Sequence, residues 1–185
     1  MKTALLVVDM QKDFFESPAL QALQGGLVKN INQLIGIARA HAVPVIWVRQ
    51  EHKADGSNAF LGDRKLSKWP VVEGSEGAEL VDGLNKESED LEVIKTRYSA
   101  FYKTDLEDKL RGLGIDTLII SGINTHACVR MTVIDAYQRD YEVILPLDCI
   151  GGWDEEHHRV TVKYFSRKIT QPMTNKQIND FLGAH

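Results

Sequence analysis

One stretch decides the fold of this chain: Thr117-Leu118-Ile119-Ile120-Ser121-Gly122-Ile123-Asn124-Thr125-His126-Ala127-Cys128-Val129. Its first residues form an apolar, β-branched run that is typical of a buried strand, and a helical pattern follows. Cys128 is therefore expected in the first turn of a helix, where free backbone N–H groups and the helix dipole favour a thiolate. Position alone leaves two interpretations open: a nucleophile or an inert core cysteine.

The same alternation of apolar runs and helical patterns extends along the chain on both sides of this stretch. Strands are predicted at residues 3–8, 45–48, 91–95, 117–121 and 142–145, and helices at residues 27–41, 104–113, 129–140, 155–167 and 174–183. The segments that start at Thr104 and Thr174 have the spacing of capping boxes. This order predicts the α/β class: one domain over residues 1–185, with a three-layer, Rossmann-like, mostly parallel sheet of about six strands and helices on both faces.

Composition narrows the classes of function. The chain has 185 residues, which is enough for one domain with a substantial core. Its 26 acidic and 22 basic side chains give a formal net charge of −4, so no nucleic-acid partner is expected. No apolar run is long enough to cross a membrane. Two cysteines and no secretory signal before the first strand predict a cytoplasmic protein, and a small-molecule substrate fits best.

A polar segment, residues 49–90, interrupts the alternation of strands and helices. It contains Gly56, Gly62, Gly74 and Gly77 and shows only a short helical hint at residues 79–81. Long irregular segments in a compact domain are usually functional lids or partner-binding arms. The sequence leaves both possibilities open, and an arm of this kind would complete the pocket of a neighbouring copy.

Three chemically reactive side chains lie at predicted strand ends: Asp9, Lys95 and Cys128. The carboxyl ends of parallel strands line one edge of a sheet, where ligands bind, so the three are expected to converge. Taken singly, Asp9 is equally explained as a turn cap and Lys95 as a solvated strand end. Together they suit acyl transfer, because a carboxylate beside a thiol acts as general base and then general acid. A lysine ammonium would stabilise both anions, and backbone N–H groups would stabilise the oxyanion.

The motifs around these three residues resemble those of the isochorismatase-like cysteine hydrolases, which include nicotinamidases, N-carbamoylsarcosine amidohydrolases and ureidoacrylate amidohydrolases. The resemblance rests on Val7-Val8-Asp9-Met10-Gln11-Lys12-Asp13-Phe14, Lys95-Thr96-Arg97-Tyr98-Ser99-Ala100-Phe101 and Gly122-Ile123-Asn124-Thr125-His126-Ala127-Cys128-Val129. It implies that Asp9, Lys95 and Cys128 form a catalytic triad. It also implies a cis peptide between Ile123 and Asn124, an oxyanion hole from the amides of Asn124 and Cys128, and a homo-oligomer that is a dimer or larger.

One departure from the family pattern bears on metals. Nicotinamidases carry Asp-x-His and a further histidine after the second strand, whereas this chain has Arg49-Gln50-Glu51-His52-Lys53-Ala54-Asp55. One histidine with loosely spaced carboxylates is a weak metal signal, so no metal and no cofactor are expected, and nicotinamide is disfavoured as a substrate. Relatives that cleave the vinyl ether of isochorismate lack the cysteine. The resemblance thus predicts a cysteine-dependent hydrolase of a small amide or ureido compound that acts through a thioester.

The expected substrate-binding residues are the aromatic side chains near the triad motifs and one histidine in the nucleophile turn. They are Phe14, Tyr98, Phe101 and His126.

Two functions of other classes remain open at this stage. A thiol redox or sensor protein would use Cys128 reversibly, but it would need Cys149 to approach Cys128 because no Cys-x-x-Cys motif is present. A catalytically silent binding scaffold on the same fold is the second, since fold does not fix function. Dinucleotide binding is excluded, because Asp9-Met10-Gln11 follows the first strand where a glycine-rich phosphate turn would be required.

Overall fold

The computed structural model describes residues 1–184, and its centre is one parallel sheet of seven strands. The strands are β1 (Thr3–Val8), β2 (Val45–Gln50), β3 (Leu91–Lys95), β4 (Thr117–Ile123), β5 (Glu142–Pro146), β6 (Ile150–Gly151) and β7 (Gln171–Met173). Their order is β3-β2-β1-β4-β5-β7, and the two-residue β6 pairs with β4 beyond the end of β5. All these strand pairs are parallel. The predicted sheet is confirmed, with one short strand more than expected.

Six α-helices occur within residues 1–184, and all but the second pack on the two faces of the sheet. They are α1 (Pro18–Ala40), α2 (Leu61–Lys65), α3 (Leu106–Leu113), α4 (Arg130–Tyr137), α5 (Glu155–Phe165) and α6 (Asn175–Gly183). A π-helical turn, Thr125–Val129, joins β4 to α4. His185, the last residue of the predicted domain, lies outside the described residues.

Two separate cores form because neighbouring residues of a strand point to opposite faces of the sheet. Leu6 and Val8 of β1 pack into one core with apolar residues of α3, α4 and α5. Leu5 and Val7 pack into the other core with residues of α1 and α6. β1 and β4 are buried along their whole length, which explains their continuous apolar sequences. The result is the three-layer arrangement that the sequence predicts.

The helix boundaries agree with several local signals and contradict one. α4 ends at Tyr137, three residues before the predicted end, and Asp140 lies in the turn that follows, with a φ of 62° in the left-handed region that aspartate tolerates. Thr174 and Gln177 form the predicted capping box of α6. The capping box predicted at Thr104 is wrong: α3 starts at Leu106 without a side-chain cap, and the Thr104 hydroxyl donates to the carbonyl oxygen of Ala100 instead. The Thr104 hydroxyl also accepts from the backbone N–H of Leu106 at 3.4 Å, so it contacts the start of α3 without forming the predicted box with Glu107.

The polar segment at residues 49–90 folds back over the end of β1. Gln11, which is fully buried, fixes part of it: its side-chain amide donates to the carbonyl oxygens of Gln50 (2.8 Å) and Ala78 (2.9 Å). Isolated bridges between Gln11 and Leu80 and between His52 and Val72 add to this attachment. The segment therefore lies beside the carboxyl edge of the sheet.

None of the helices within residues 1–184 has the length and apolar content needed to cross a membrane.

Candidate active site

The sheet brings two of the three predicted catalytic side chains into direct contact. Asp9 directly follows β1, and Lys95 is the last residue of β3. The Lys95 Nζ atom donates to Asp9 Oδ2 at 2.7 Å and to Gln50 Oε1 at 3.1 Å. Gln50, the last residue of β2, lies opposite Lys95 in the strand register. The ammonium therefore reaches Asp9 across the end of the intervening strand.

Cys128 completes the group from the turn after β4. Its side chain is buried and interacts with both Asp9 and Lys95. The second carboxylate oxygen of Asp9, Oδ1, is buried and has no other hydrogen-bond partner within residues 1–184. An unshared carboxylate oxygen beside a thiol is the arrangement that proton transfer between them requires.

Electrostatics hold the thiol in its protonated form. Burial raises the pKa of the Cys128 thiol, the Asp9 carboxylate raises it further, and Lys95 opposes this only in part. The sequence-based expectation of a thiolate at this helix start is not supported, because burial and the Asp9 carboxylate raise the pKa of the thiol. Burial also raises the pKa of Asp9, against the lowering effect of Lys95. Burial alone would lower the pKa of Lys95, but the interactions with Asp9 and Cys128 together outweigh burial, and the pKa is raised.

The turn that carries Cys128 is built from backbone contacts. The Ile123–Asn124 peptide bond is cis, and the carbonyl oxygen of Asn124 accepts from the backbone N–H groups of Ala127 (2.9 Å) and Val129 (3.2 Å). The side-chain oxygen of Asn124 accepts from the backbone N–H of Trp153 at 3.2 Å. These bonds fix the turn and bring Asn124 and Cys128 to the same cavity.

Helix α4 ties this turn to the segment after Lys95. The Thr132 hydroxyl donates to the carbonyl oxygen of Cys128 at 2.7 Å and accepts from the backbone N–H of Ala100 at 3.1 Å. Ser99 donates to the Asp135 carboxylate at 2.5 Å. The two sequence motifs that carry the lysine and the cysteine are thus joined by buried hydrogen bonds, so their relative position is fixed.

A cavity of about 350 Å³ opens above Cys128. Its walls are Asp13, Phe14, Ser17, Leu20, Gln50, Phe60, Asp63, Pro70, Tyr98, Asn124, Ala127, Cys128 and Trp153. Of the predicted substrate-binding residues, Phe14 and Tyr98 line it. The volume suits a small molecule.

The other two predicted substrate-binding residues do not line this cavity. Phe101 is buried in the core under the sheet, where its ring packs against Tyr141 (6.0 Å between centroids) and the Arg139 guanidinium (4.8 Å). The turn after Lys95 directs Tyr98 outward and Phe101 inward. His126 packs edge-on against Trp153 at 5.1 Å, outside the cavity lining. Both placements correct the sequence-based expectation, because proximity in sequence to the triad did not fix the direction of these side chains.

Several cavity residues were missed by the sequence analysis. Phe60, Asp63 and Pro70 come from the polar segment, and Trp153 comes from the loop before α5. Gln50 was missed because β2 continues two residues beyond the predicted strand. The only sequence signal for the first three was the expectation that so long a segment has a function.

The position of the nicotinamidase-type metal site holds a hydrogen-bonded pair instead. Because Gln50 Oε1 accepts from Lys95, its Nε2 is the donor to His52 Nε2, which lies 3.0 Å away. One imidazole nitrogen of His52 is therefore occupied, and the Gln50 amide two residues before it is not the carboxylate of the nicotinamidase pattern. Within residues 1–184, no group of three or more histidine, cysteine or acidic side chains is placed to hold a metal ion. The side chains present do not fit that metal site.

The second cysteine is separated from the first by the sheet. Cys149 packs in the core on the α1 side, whereas Cys128 belongs to the core on the opposite side. The Cys149 thiol donates to Asn175 Oδ1 at 3.2 Å, and both cysteines are free. A bridge between them would require the sheet to open.

Fold and site together define a three-layer α/β protein with a carboxylate, an ammonium and a thiol at the carboxyl edge of a parallel sheet, which is the fold of cysteine hydrolases. The family model described as the isochorismatase domain matches residues 3–177. The chain belongs to the isochorismatase family.

The proteins similar to this chain include one named as an inactive nicotinamidase, a cysteine hydrolase and an amidase. The chain is 42% identical over 168 residues to a protein named "probable inactive nicotinamidase" from Arabidopsis thaliana, with 86% of each chain covered. A solved cysteine hydrolase from Pseudomonas syringae matches with a TM-score of 0.89 and 27% identity, covering 99% of this chain and 93% of that one. An N-carbamoylsarcosine amidase from Thermoplasma acidophilum matches with a TM-score of 0.80 and 28% identity, covering 95% and 97%.

Proposed function

We propose that this protein is a cysteine hydrolase that cleaves a carbon–nitrogen bond in a small amide or ureido compound. The observation that carries the proposal is the contact of Asp9, Lys95 and Cys128 at the floor of a cavity that is open to a small substrate. The amidase among the similar structures supports the choice of bond.

The first half of the reaction forms a thioester. Cys128 Sγ attacks the carbonyl carbon while its proton moves to Asp9 Oδ1, and the carbonyl π electrons move to oxygen. The backbone N–H groups of Asn124 and Cys128 then stabilise the oxyanion, an effect worth about 3–4 kcal/mol per donor in other enzymes. When the intermediate collapses, the carbon–nitrogen bond breaks and the leaving nitrogen takes the proton from Asp9.

The second half releases the acid. A water molecule attacks the thioester carbon and gives its proton to Asp9, and the carbon–sulfur bond breaks. Cys128 leaves as a thiolate and recovers the proton from Asp9. Lys95 stays protonated throughout, because the pKa of its ammonium is raised. The raised pKa of the thiol makes Asp9 essential as the base, since the free enzyme holds little thiolate.

A catalytically silent scaffold is the second candidate function. The name of the Arabidopsis relative, "probable inactive nicotinamidase", favours it. The complete set of three reactive side chains in this chain favours a hydrolase. The redox function is disfavoured, because Cys128 and Cys149 lie on opposite sides of the sheet.

The test is ammonia release from a panel of small amides and ureido compounds. We expect turnover by the parent protein, a loss of at least about a thousandfold in Cys128→Ala, and parent-like rates in the matched control Cys149→Ala. Mass spectrometry of a quenched reaction should find an acyl adduct on Cys128. Equal rates in the parent and Cys128→Ala would exclude the mechanism. A protein that turns over no member of the panel and forms no acyl adduct on Cys128 would favour the silent scaffold.

A further inference from the structure

The charged side chains that line the cavity above Cys128 are all acidic. The charged side chains that line it are two carboxylates, Asp13 and Asp63, and no lysine, arginine or histidine is among the lining residues that the structure describes. Lys95 lies below the floor and is paired with Asp9. A substrate carboxylate in this cavity would therefore meet like charges and find no cation to pair with.

The two carboxylates differ in how they are held. Asp13 Oδ2 accepts from the backbone N–H of Val71 at 2.5 Å, and its other oxygen lies against Gly77, where a Cβ atom would come within 1.8 Å. Asp13 thus fastens the polar segment to the chain after β1. Asp63, in α2, is half-buried; its carboxylate has no hydrogen bond or ion pair with any of residues 1–184, although its charge raises the pKa of His52 against the effect of burial. Asp63 is therefore the carboxylate that remains free to meet a ligand.

Four aromatic rings line the same cavity as Asp63. The rings of Phe60 and Tyr98 are 4.8 Å apart between centroids, and Phe14 and Trp153 also line the cavity. Tyr98 and Trp153 are large aromatic side chains, yet they are 49% and 54% exposed. Outside the cavity, the Arg97 guanidinium lies 5.0 Å from the Phe60 centroid, so this ring already contacts one cation. Aromatic faces beside a carboxylate are the combination that binds organic cations.

We propose that the cavity selects substrates that carry a positive charge, with Asp63 as the counter-ion and the surrounding rings as the cage. The substrate class is then a small amide or ureido compound with an ammonium, quaternary ammonium or guanidinium group. The inference rests on the proposed hydrolase function, because it assigns the substrate of that same site. Asp63 is a specificity-determining residue in it, whereas the chemistry stays with Cys128.

The test uses primary alkyl amides of one chain length whose far ends carry an ammonium, a methyl or a carboxylate group. We expect the parent protein to favour the ammonium compound in kcat/KM by about tenfold or more over the methyl compound. Asp63→Asn should remove most of that preference by lowering kcat/KM for the ammonium compound. Glu73→Gln is the matched control, because Glu73 is exposed in the same segment and lies outside the cavity lining.

A binding measurement separates this inference from the proposed reaction. In a Cys128→Ala background, calorimetry with the ammonium amide should give a dissociation constant about tenfold weaker after Asp63→Asn or Asp63→Ala, at an unchanged unfolding midpoint. Tight binding that depends on Asp63 without turnover by the parent would contradict the hydrolase function and support the cationic ligand. Turnover or binding that favours the methyl or carboxylate amide, or that Asp63→Asn leaves unchanged, would overturn the inference and leave the hydrolase function standing.

Discussion

Replacing Lys95 with methionine tests whether Asp9 and Lys95 form a true buried ion pair. Lys95 Nζ lies 2.7 Å from Asp9 Oδ2, and the side chains of Lys95 and Asp9 are 0% and 1% exposed, respectively. At an effective dielectric constant of about 20, the attraction at this distance is about 6 kcal/mol, which offsets the desolvation of both charges. Methionine fills a similar volume but leaves the Asp9 charge buried without a partner. We expect the free energy of unfolding to fall by about 3–5 kcal/mol at about pH 8.

The pH dependence of this loss gives a second check. Lys95 lowers the pKa of Asp9, so its removal moves the folded-state pKa further above the ordinary value of 3.8. A raised acid pKa costs stability only at pH values above the unfolded-state pKa, so the loss should shrink as the pH falls, by up to about 1.4 kcal/mol per pH unit. Urea unfolding followed by tryptophan fluorescence at about pH 5 and about pH 8 measures both effects.

Two further variants complete the experiment. Asp9→Asn combined with Lys95→Met removes the stranded charge, so the double variant should be more stable than Lys95→Met alone. Lys86→Met is the control, since Lys86 pairs with Glu92 at the surface and should change stability by less than about 1 kcal/mol. If Lys95→Met loses less than about 1 kcal/mol, and equally at both pH values, the buried ion pair does not exist as described.

Three other predictions follow from single features. Gly77→Ala should lower the free energy of unfolding by about 1–3 kcal/mol and reduce activity, because its Cβ would lie 1.8 Å from the Asp13 carboxylate. Urea unfolding measures the loss. The control is Gly62→Ala, whose Cβ would have no atom within 4 Å and which should unfold as the parent does. Burial lowers the pKa of His52, so the imidazole is protonated at a higher pH in the unfolded state than in the folded state, and stability should fall as the pH drops below 6.5. Thermal melts at several pH values should show a smaller fall in stability with pH for His52→Gln than for the parent. An equal fall would assign the pH dependence to other groups. The oligomer expected from the family resemblance should sediment as a particle of at least twice the 20.8 kDa chain mass, and a single species at the chain mass would contradict it.

The sheet was predictable because its signal is local. β1 and β4 are buried on both faces, so each appears in the sequence as an unbroken apolar run, and the helices between them carry apolar residues at helical spacing. The convergence of Asp9 and Lys95 was predictable for the same reason, since parallel strands end at a common edge. The long, regular strands and helices are therefore the part of the fold that could be predicted from the sequence.

What the sequence did not reveal depends on tertiary contacts. Phe101 and Tyr98 lie three residues apart in the same turn, yet one enters the core and the other the cavity, a choice made by packing against Tyr141 and Phe60. The raised pKa of the Cys128 thiol could not be predicted from the sequence, because the burial that raises it exists only after folding.

The site is formed partly by regular elements of the sheet and partly by the irregular polar segment. The strand ends and the turn before α4 supply the reacting groups, whose positions are fixed by strand register and by the buried bonds of Thr132. The polar segment supplies Phe60 and Asp63, which have no part in the proposed proton transfers. Relatives with the same reacting groups and different segments are therefore expected to differ in substrate, and those with a segment that closes the cavity are expected to be silent.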